Sequence, residues 1–240
     1  MDPRRFFVVL LPLHLAVAAV FAKEPTTAKP PQYLHIEDYH IEEILPAPPV
    51  PGSELDKLDH ATFDAVRERR TPEQVEDAKH TQHDSVFLYS VVLGPDFTEE
   101  KLPKTKALFY QAASDASKFA RVPKMKYRRP RPDTPEGQEE LAKEPGNTDF
   151  SFPSAHSTRA FLWASLLEQV FPDQSEALLK HAHHLAWNRV IYGKHFPADV
   201  LGGKVLGEFT ANELLANPEF QKAWVEVREE LKAFAAQHAH

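Results

Sequence analysis

Three separated segments of this chain concentrate side chains that can do chemistry. Between Arg121 and Arg131 lie six bases and no acid, namely Arg121, Lys124, Lys126, Arg128, Arg129 and Arg131. The whole chain carries a net charge of −7, so this cluster needs a reason. Cations converging on one point suit a phosphate, and Pro130 and Pro132 stiffen the backbone that aims Arg131. A solvated loop or a basic address tag is the plainer alternative. The second segment, Phe152-Pro153-Ser154-Ala155-His156-Ser157, directly precedes a strongly apolar run. Pro153 and Ser154 look like a helix start, which leaves the Ser154, Ala155 and His156 amides as free donors beside the positive end of the helix dipole. Taken alone, Ser154 is better explained as an N-cap. The third segment runs from Asn188 to Asp199 and holds Arg189, Gly193, His195 and Asp199. Across a helix start, the spacing of His195 and Asp199 lets the carboxylate accept Nδ1–H and leaves Nε2 as a lone pair. A surface His–Asp pair is the alternative there.

No single segment settles a function, but together they specify phosphoryl transfer. That reaction needs clamping cations, an in-line nucleophile and an acid for the departing oxygen. Lys124, Arg131 and Arg189 supply the cations, His195 the nucleophile and His156 the acid.

Composition narrows the alternatives. The chain has 240 residues, long enough to bury a core without staples. It has no cysteine, which excludes thiolate metal sites, cysteine nucleophiles and disulfides. The acidic balance argues against nucleic acid as the main partner. Arg4 and Arg5 followed by the apolar stretch to Phe21, with Val20 and Ala22 before Lys23, read as a signal peptide over residues 1–22. No other segment is long enough to span a bilayer, so no integral membrane association is expected after cleavage. Residues 23–54 form a proline-rich arm, with seven of the 21 prolines between positions 23 and 52. The arm is expected to be extended, with at most a short helical turn around Ile36–Ile44, either as a tether or along the domain surface.

Residues 55–240 read as one all-α domain. Thr71-Pro72-Glu73-Gln74 carries a cap, a first-turn proline and a capping-box glutamine. Val75, Ala78, Gln82, Val86 and Tyr89 continue at helical spacing. The stripe Leu108, Phe109, Ala112, Ala116, Phe119 should stop before Pro123. Ala160, Phe161, Ala164, Leu167 and Phe171 mark a helix apolar nearly all round, hence central. Further helices are expected from Asp173 to about Tyr192, from Pro197 to before Asn217, and through Phe220, Trp224, Val227, Leu231 and Phe234. Trp163, Trp187 and Trp224 fit helix cores. His181 and His184 share a helix face without a nearby acid in sequence, and His80 and His83 lie close to Asp84, so neither pair is assigned a metal.

The chemistry-bearing residues also carry a resemblance. Lys124 is followed after six residues by Arg131-Pro132; then comes Pro153-Ser154-Ala155-His156; then Arg189, five residues, His195, three residues, Asp199. In type and spacing this resembles the three-part signature of the phosphatidic acid phosphatase type 2 and vanadium haloperoxidase superfamily. Within it the chain is similar to the bacterial class A non-specific acid phosphatases, also at Tyr33-Leu34, Leu45-Pro46-Ala47-Pro48-Pro49, Arg70-Thr71-Pro72-Glu73-Gln74-Val75 and Leu93-Gly94-Pro95-Asp96-Phe97-Thr98.

The resemblance implies a helical bundle with the site at one end and a covalent phosphohistidine on His195 oriented by Asp199. It implies that His156 protonates the leaving group and then activates water. Lys124, Arg131, Arg189, the Ser154 hydroxyl and the Ala155 amide would hold the phosphoryl oxygens. It further implies small phosphomonoester substrates, an acidic optimum, no cofactor or essential metal, a periplasmic location and a homo-oligomer. Two positions depart from the pattern: Asn188 stands where Ser is common, and Ala155 where Gly is common. Phosphotransfer to other acceptors, vanadate-dependent halide oxidation and silent phosphate binding are the competing activities.

Overall fold

The computed structural model describes residues 33–133 and 149–238. The signal-peptide assignment at 1–22 and the first part of the arm lie outside the described residues. Among the described residues there is no strand. The helices are α1 (Ile41–Ile44), α2 (Glu54–Arg69), α3 (Pro72–His80), α4 (Ser90–Leu93), α5 (Pro103–Tyr127), α6 (Ala155–Leu167), α7 (Ser175–Ile191), α8 (Pro197–Ala216) and α9 (Pro218–His238). Short 3-10 turns at Ile36–Asp38, Val86–Tyr89 and Pro172–Gln174 link them.

The centre is α6, as its apolar circumference requires. Phe161, Leu162, Trp163, Ala164, Leu166 and Leu167 are all buried, because α5, α7 and α8 pack around the helix. Its polar tips are satisfied by neighbours: Trp163 Nε1 donates to Phe109 O at 3.1 Å, and Tyr89 OH to Ala160 O at 2.7 Å. The contact with α8 is unusually close. A Cβ on Gly207 would lie 2.3 Å from Thr158 O, and one on Gly203 would lie 2.5 Å from Ser154 O. These two glycines let the N-terminal part of α6 pack directly on the first half of α8, and the starts of both helices carry candidate site residues.

Four expectations need correction. First, α5 does not stop before Pro123 but runs through it to Tyr127. Pro123 is buried in the packed face, and the last turn closes with Arg128 N donating to Lys124 O at 2.9 Å. Arg128 itself is left-handed, with φ 48°, which ends the helix. Packing thus outweighs the missing donor, and Lys124 falls in a helical turn. Second, the periodic run from Val75 to Tyr89 is not one helix. α3 ends at His80, and the chain turns before the 3-10 segment. Third, Phe171 lies beyond the end of α6 at Leu167. Fourth, Trp187 is 38% exposed rather than core, whereas Trp163 and Trp224 are buried.

The described part of the arm, residues 33–54, is held against the helices. Leu34, Ile41 and Leu45 are buried. The buried Asp115 carboxylate accepts from Tyr33 N at 2.8 Å and Leu34 N at 3.2 Å, while Asn217 Nδ2 donates to Tyr33 O at 2.8 Å.

The α6–α8 approach makes a direct prediction. Gly207→Ala should destabilise the protein by about 1–3 kcal/mol through overpacking. At about 2–4 °C per kcal/mol for a chain of this size, the thermal midpoint should fall visibly. An unchanged midpoint would contradict the close backbone approach.

Candidate active site

The site grows from the start of α8. Gly193, with φ 89°, turns the chain out of α7 in a conformation that favours glycine. The turn delivers His195 and then Phe196, the N-cap of α8. Asp199 in the first turn accepts from Phe196 N at 2.8 Å, which fixes its carboxylate at the helix mouth. The same carboxylate accepts from Ser151 Oγ at 2.5 Å and Arg129 Nη1 at 2.9 Å. Its Oδ2 lies 3.5 Å from His195 Nδ1. That is longer than a good hydrogen bond, and Nδ1 has no nearer partner among the described residues. The contact therefore orients the ring electrostatically, and it can tighten once the ring is charged. Burial alone would raise the Asp199 carboxyl, but His195, Arg129 and Ser151 outweigh it and hold it below the usual range.

Arg129 is the residue that local spacing did not single out. Its guanidinium bridges Asp199 to Asp59, 2.7 Å from Nη2, and to Asp56 at 3.4 Å. It also lies 4.3 Å over the Phe196 ring. Asp59 in turn accepts from Ala198 N at 2.9 Å. Arg129 is 8% exposed, and its carboxylate partners raise its pKa despite burial. It is committed to carboxylates and is not available to clamp a ligand. Ser151, another residue not singled out, belongs to the same unit, because its amide donates to Arg129 O at 2.8 Å.

In front of this unit sit the remaining bases. Arg131 Nη1 lies 3.1 Å from His195 Nε2 and donates to Lys194 O at 2.9 Å. Its Nε reaches Asp149 at 2.7 Å. Lys124 Nζ donates to Phe150 O and, at 3.2 Å, to Ser151 O. Arg189 is 7% exposed, and its Nε and Nη1 have no hydrogen-bond partner among the described residues. A buried guanidinium with idle donors is costly unless an anion completes it. Asn188, beside it, is occupied elsewhere: Nδ2 donates to Asp77 and Thr81, both at 2.9 Å, tying α7 to α3.

The second imidazole lies at the start of α6. Ser154 caps that helix, accepting from Ser157 N at 3.3 Å, and its own amide donates to Asp199 O at 2.9 Å. The Ser154 hydroxyl still has a hydrogen to donate. The Ala155 and His156 amides occupy the first turn, where no intrahelical carbonyl reaches them. His156 Nε2 is 2.9 Å from Gln82 O and 3.4 Å from Asp84 Oδ2.

Electrostatics link the two rings into one cluster. Burial lowers His195 to about 3, with Arg131 and Lys124 pushing the same way against Asp199. Burial lowers His156 to about 4, with Arg189 and Arg159 adding to it against Asp84. Burial and the Arg131 charge bring Lys124 down to about 7. Arg189 is also lowered by burial, and Arg131 adds to it. Arg131 therefore acts on both His195 and Arg189, and Arg189 acts on His156. The eight residues singled out by spacing thus lie on the joined ends of α5, α6, α7 and α8. Ser154 stands apart in one respect, since its oxygen is already engaged as a cap.

The arrangement is a buried, over-positive cluster with a neutral imidazole backed by a carboxylate. An anion seated there makes Lys124, His156 and His195 take up protons more readily. Affinity for sulfate, whose own charge is constant over this range, should rise as pH falls from about 8 to 5. The slope is at most about tenfold per pH unit for each proton taken up. Calorimetric titration of sulfate at several pH values measures it, and a pH-independent affinity would contradict this electrostatic picture.

Residues 104–222 match the PAP2 superfamily. The chain is 30% identical over 231 residues to the non-specific acid phosphatase of Providencia stuartii, covering 88% of this chain and 91% of that one. It is 27% identical over 244 residues to the non-specific acid phosphatase of Salmonella typhi, covering 95% and 92%. The crystal structure of a transmembrane PAP2 type phosphatidylglycerolphosphate phosphatase from Bacillus subtilis gives a TM-score of 0.46 at 24% identity, covering 67% of this chain and 85% of that one. With that extent of similarity to the Providencia protein, the chain belongs to the PAP2 superfamily, among its non-specific acid phosphatases.

Proposed function

We propose that this protein hydrolyses small phosphomonoesters to alcohol and inorganic phosphate through a phosphohistidine on His195. The observation that carries the proposal is the buried Arg189 guanidinium with idle donors, within electrostatic reach of Arg131 and His156, while Arg131 and Lys124 act on a neutral His195. That set is complementary to a tetrahedral oxyanion such as a phosphoryl group. The relatives' name, non-specific acid phosphatase, supports it.

The chemistry follows from the protonation states. His195 is neutral above about pH 3, so its Nε2 lone pair is available in acid. The incoming phosphoryl group takes over the Arg131 donor that otherwise faces Nε2. Nε2 attacks phosphorus, the P–O ester bond breaks in line, and His156 passes its proton to the departing oxygen. Asp199 compensates the positive charge that the His195 ring acquires. Neutral His156 then takes a proton from water as that water attacks phosphorus. The P–N bond breaks, and phosphate leaves with His195 neutral again. Lys124, Arg131, Arg189, the Ser154 hydroxyl and the Ala155 amide hold the three equatorial oxygens in this reading. Three cations already balance the developing charge, so the reaction needs no metal, and EDTA should leave the rate unchanged.

Export and self-association belong to the same proposal. The apolar stretch behind Arg4 and Arg5 supports a periplasmic location, and no helix among the described residues is long and apolar enough to cross a membrane. N-terminal sequencing of protein from the periplasmic fraction should begin at Lys23. Val50, Leu55 and Leu201 are 69%, 68% and 62% exposed and line one cavity of about 650 Å³. That apolar surface supports a homo-oligomer, which light scattering checks.

The decisive kinetic tests concern the two histidines. His195→Ala should abolish phosphate release, and retained turnover would contradict the nucleophile. His156→Ala should lose about 10²–10⁴-fold on alkyl phosphates and far less on p-nitrophenyl phosphate, whose leaving group needs no proton. Because His156 must be protonated, kcat/KM should decline as pH rises past about 4. The kcat profile should hold to higher pH, since bound phosphate raises the same group. Coincident profiles would contradict the assignment.

A further inference from the structure

The second imidazole has a carboxylate of its own. Asp84 lies in the turn between α3 and the 3-10 segment, where the helical periodicity breaks. Its Oδ2 is 3.4 Å from His156 Nε2, and the Gln82 carbonyl is 2.9 Å from the same atom. Asp84 does not wander: Arg159, one turn beyond His156 on α6, pairs with it through Nη2. Arg159 Nη1 in turn donates to Ser117 Oγ on α5 at 3.0 Å. Arg159, itself braced from α5, therefore holds this carboxylate beside the ring.

We propose that Asp84 is a positioning residue for His156. The Gln82 carbonyl accepts the ring's Nε2–H, Asp84 reinforces that orientation electrostatically, and Nδ1 is thereby turned toward the oxygen of the departing alcohol. This inference rests on the phosphatase reading above.

The two ends of the site then use opposite faces of the same ring. At His195 a carboxylate holds Nδ1, and Nε2 meets phosphorus. At His156 a carboxylate and a carbonyl hold Nε2, and Nδ1 meets the leaving oxygen. The proton balance is complete. Imidazolium His156 releases Nδ1–H to the alcohol oxygen as the P–O bond breaks, and the ring left behind is the Nε2–H tautomer that Gln82 O and Asp84 already hold. Water returns a proton to Nδ1 in the second half of the reaction.

Charge supplies the need for such a partner. The charged groups facing His156 are Asp84 from the α3 turn, Arg159 from its own helix and Arg189 from α7, together with the Gln82 carbonyl. Burial and both arginines drive the ring toward neutrality, while Asp84 and the carbonyl oppose them. Without Asp84, the group that must donate a proton would sit beside two guanidiniums with no countercharge.

The test compares Asp84→Asn with His156→Ala on an alkyl phosphate and on p-nitrophenyl phosphate, each across pH. His156→Ala comes first. An equal loss on both substrates removes the acid role of His156, and the Asp84 proposal falls with it. Where His156→Ala is selective, Asp84→Asn should lose about tenfold on the alkyl ester and under about twofold on the aryl ester. It should also move the alkaline limb of kcat down by about one pH unit. Asp84→Glu should restore much of that limb. An Asp84→Asn enzyme slowed equally on both substrates, with its limb unmoved, would show that Asp84 only braces Arg159 and would overturn the proposal alone. A ¹⁵N spectrum of histidine-labelled wild-type protein avoids any folding defect in the variants. Neutral His156 should be the Nε2–H tautomer, and an Nδ1–H tautomer would overturn the proposal.

Discussion

The structure turns on one buried carboxylate. Asp199 accepts from the Phe196 amide, the Ser151 hydroxyl and the Arg129 guanidinium, and it faces the His195 ring. Its backbone carbonyl accepts from Ser154 N. These contacts join the start of α8, the start of α6 and the chain that follows α5. A fully buried charge survives only where donors surround it, and removing one partner of such a pair costs about 3–5 kcal/mol. Satisfaction of Asp199 therefore sets where the His195 ring points and where the second helix mouth sits. The glycines of α8 make the join sterically possible, since a side chain at Gly203 would meet the Ser154 carbonyl.

Behind that carboxylate the charges balance, and in front of it they do not. Arg129 is matched by Asp56, Asp59 and Asp199, so it serves the framework. Lys124, Arg131, Arg189 and two imidazoles face forward, and burial with mutual repulsion pushes Lys124, Arg189 and both rings toward their uncharged forms. A tetrahedral anion relieves that imbalance. The same field keeps His195 unprotonated in acid, which is the condition for a nitrogen nucleophile to work at low pH.

What the sequence made legible were local patterns. The capping box at Thr71, the all-apolar circumference of α6 and the fixed spacing from Arg189 to Asp199 each declare themselves within a few turns. The pairings that finish the site span the chain. Arg129 meets Asp59 and Asp199, each 70 positions away, and His156 meets Gln82 and Asp84 across more than 70. No local spacing reveals such partners, so Arg129 looked like one more base in a basic run. The path of the arm is hidden for a related reason. Its prolines argue for an extended chain with a short helical turn but not for where it lies, and it is Leu34, Ile41 and Leu45 on apolar surface among the helices, with Asp115 accepting from the backbone, that hold it along the domain. Pro123 is the reverse case, where burial in a packed helix overrides a local breaker.

The central claim is that both imidazoles address one phosphoryl centre from opposite sides. A crystal structure with orthovanadate, which adopts the five-coordinate geometry of the transferring group, tests this most directly. The account requires vanadium bonded to His195 Nε2, an apical oxygen facing His156 Nδ1, and Arg189 Nε and Nη1 donating to equatorial oxygens. Vanadate bound away from His195, or Arg189 left unengaged by it, would contradict the account.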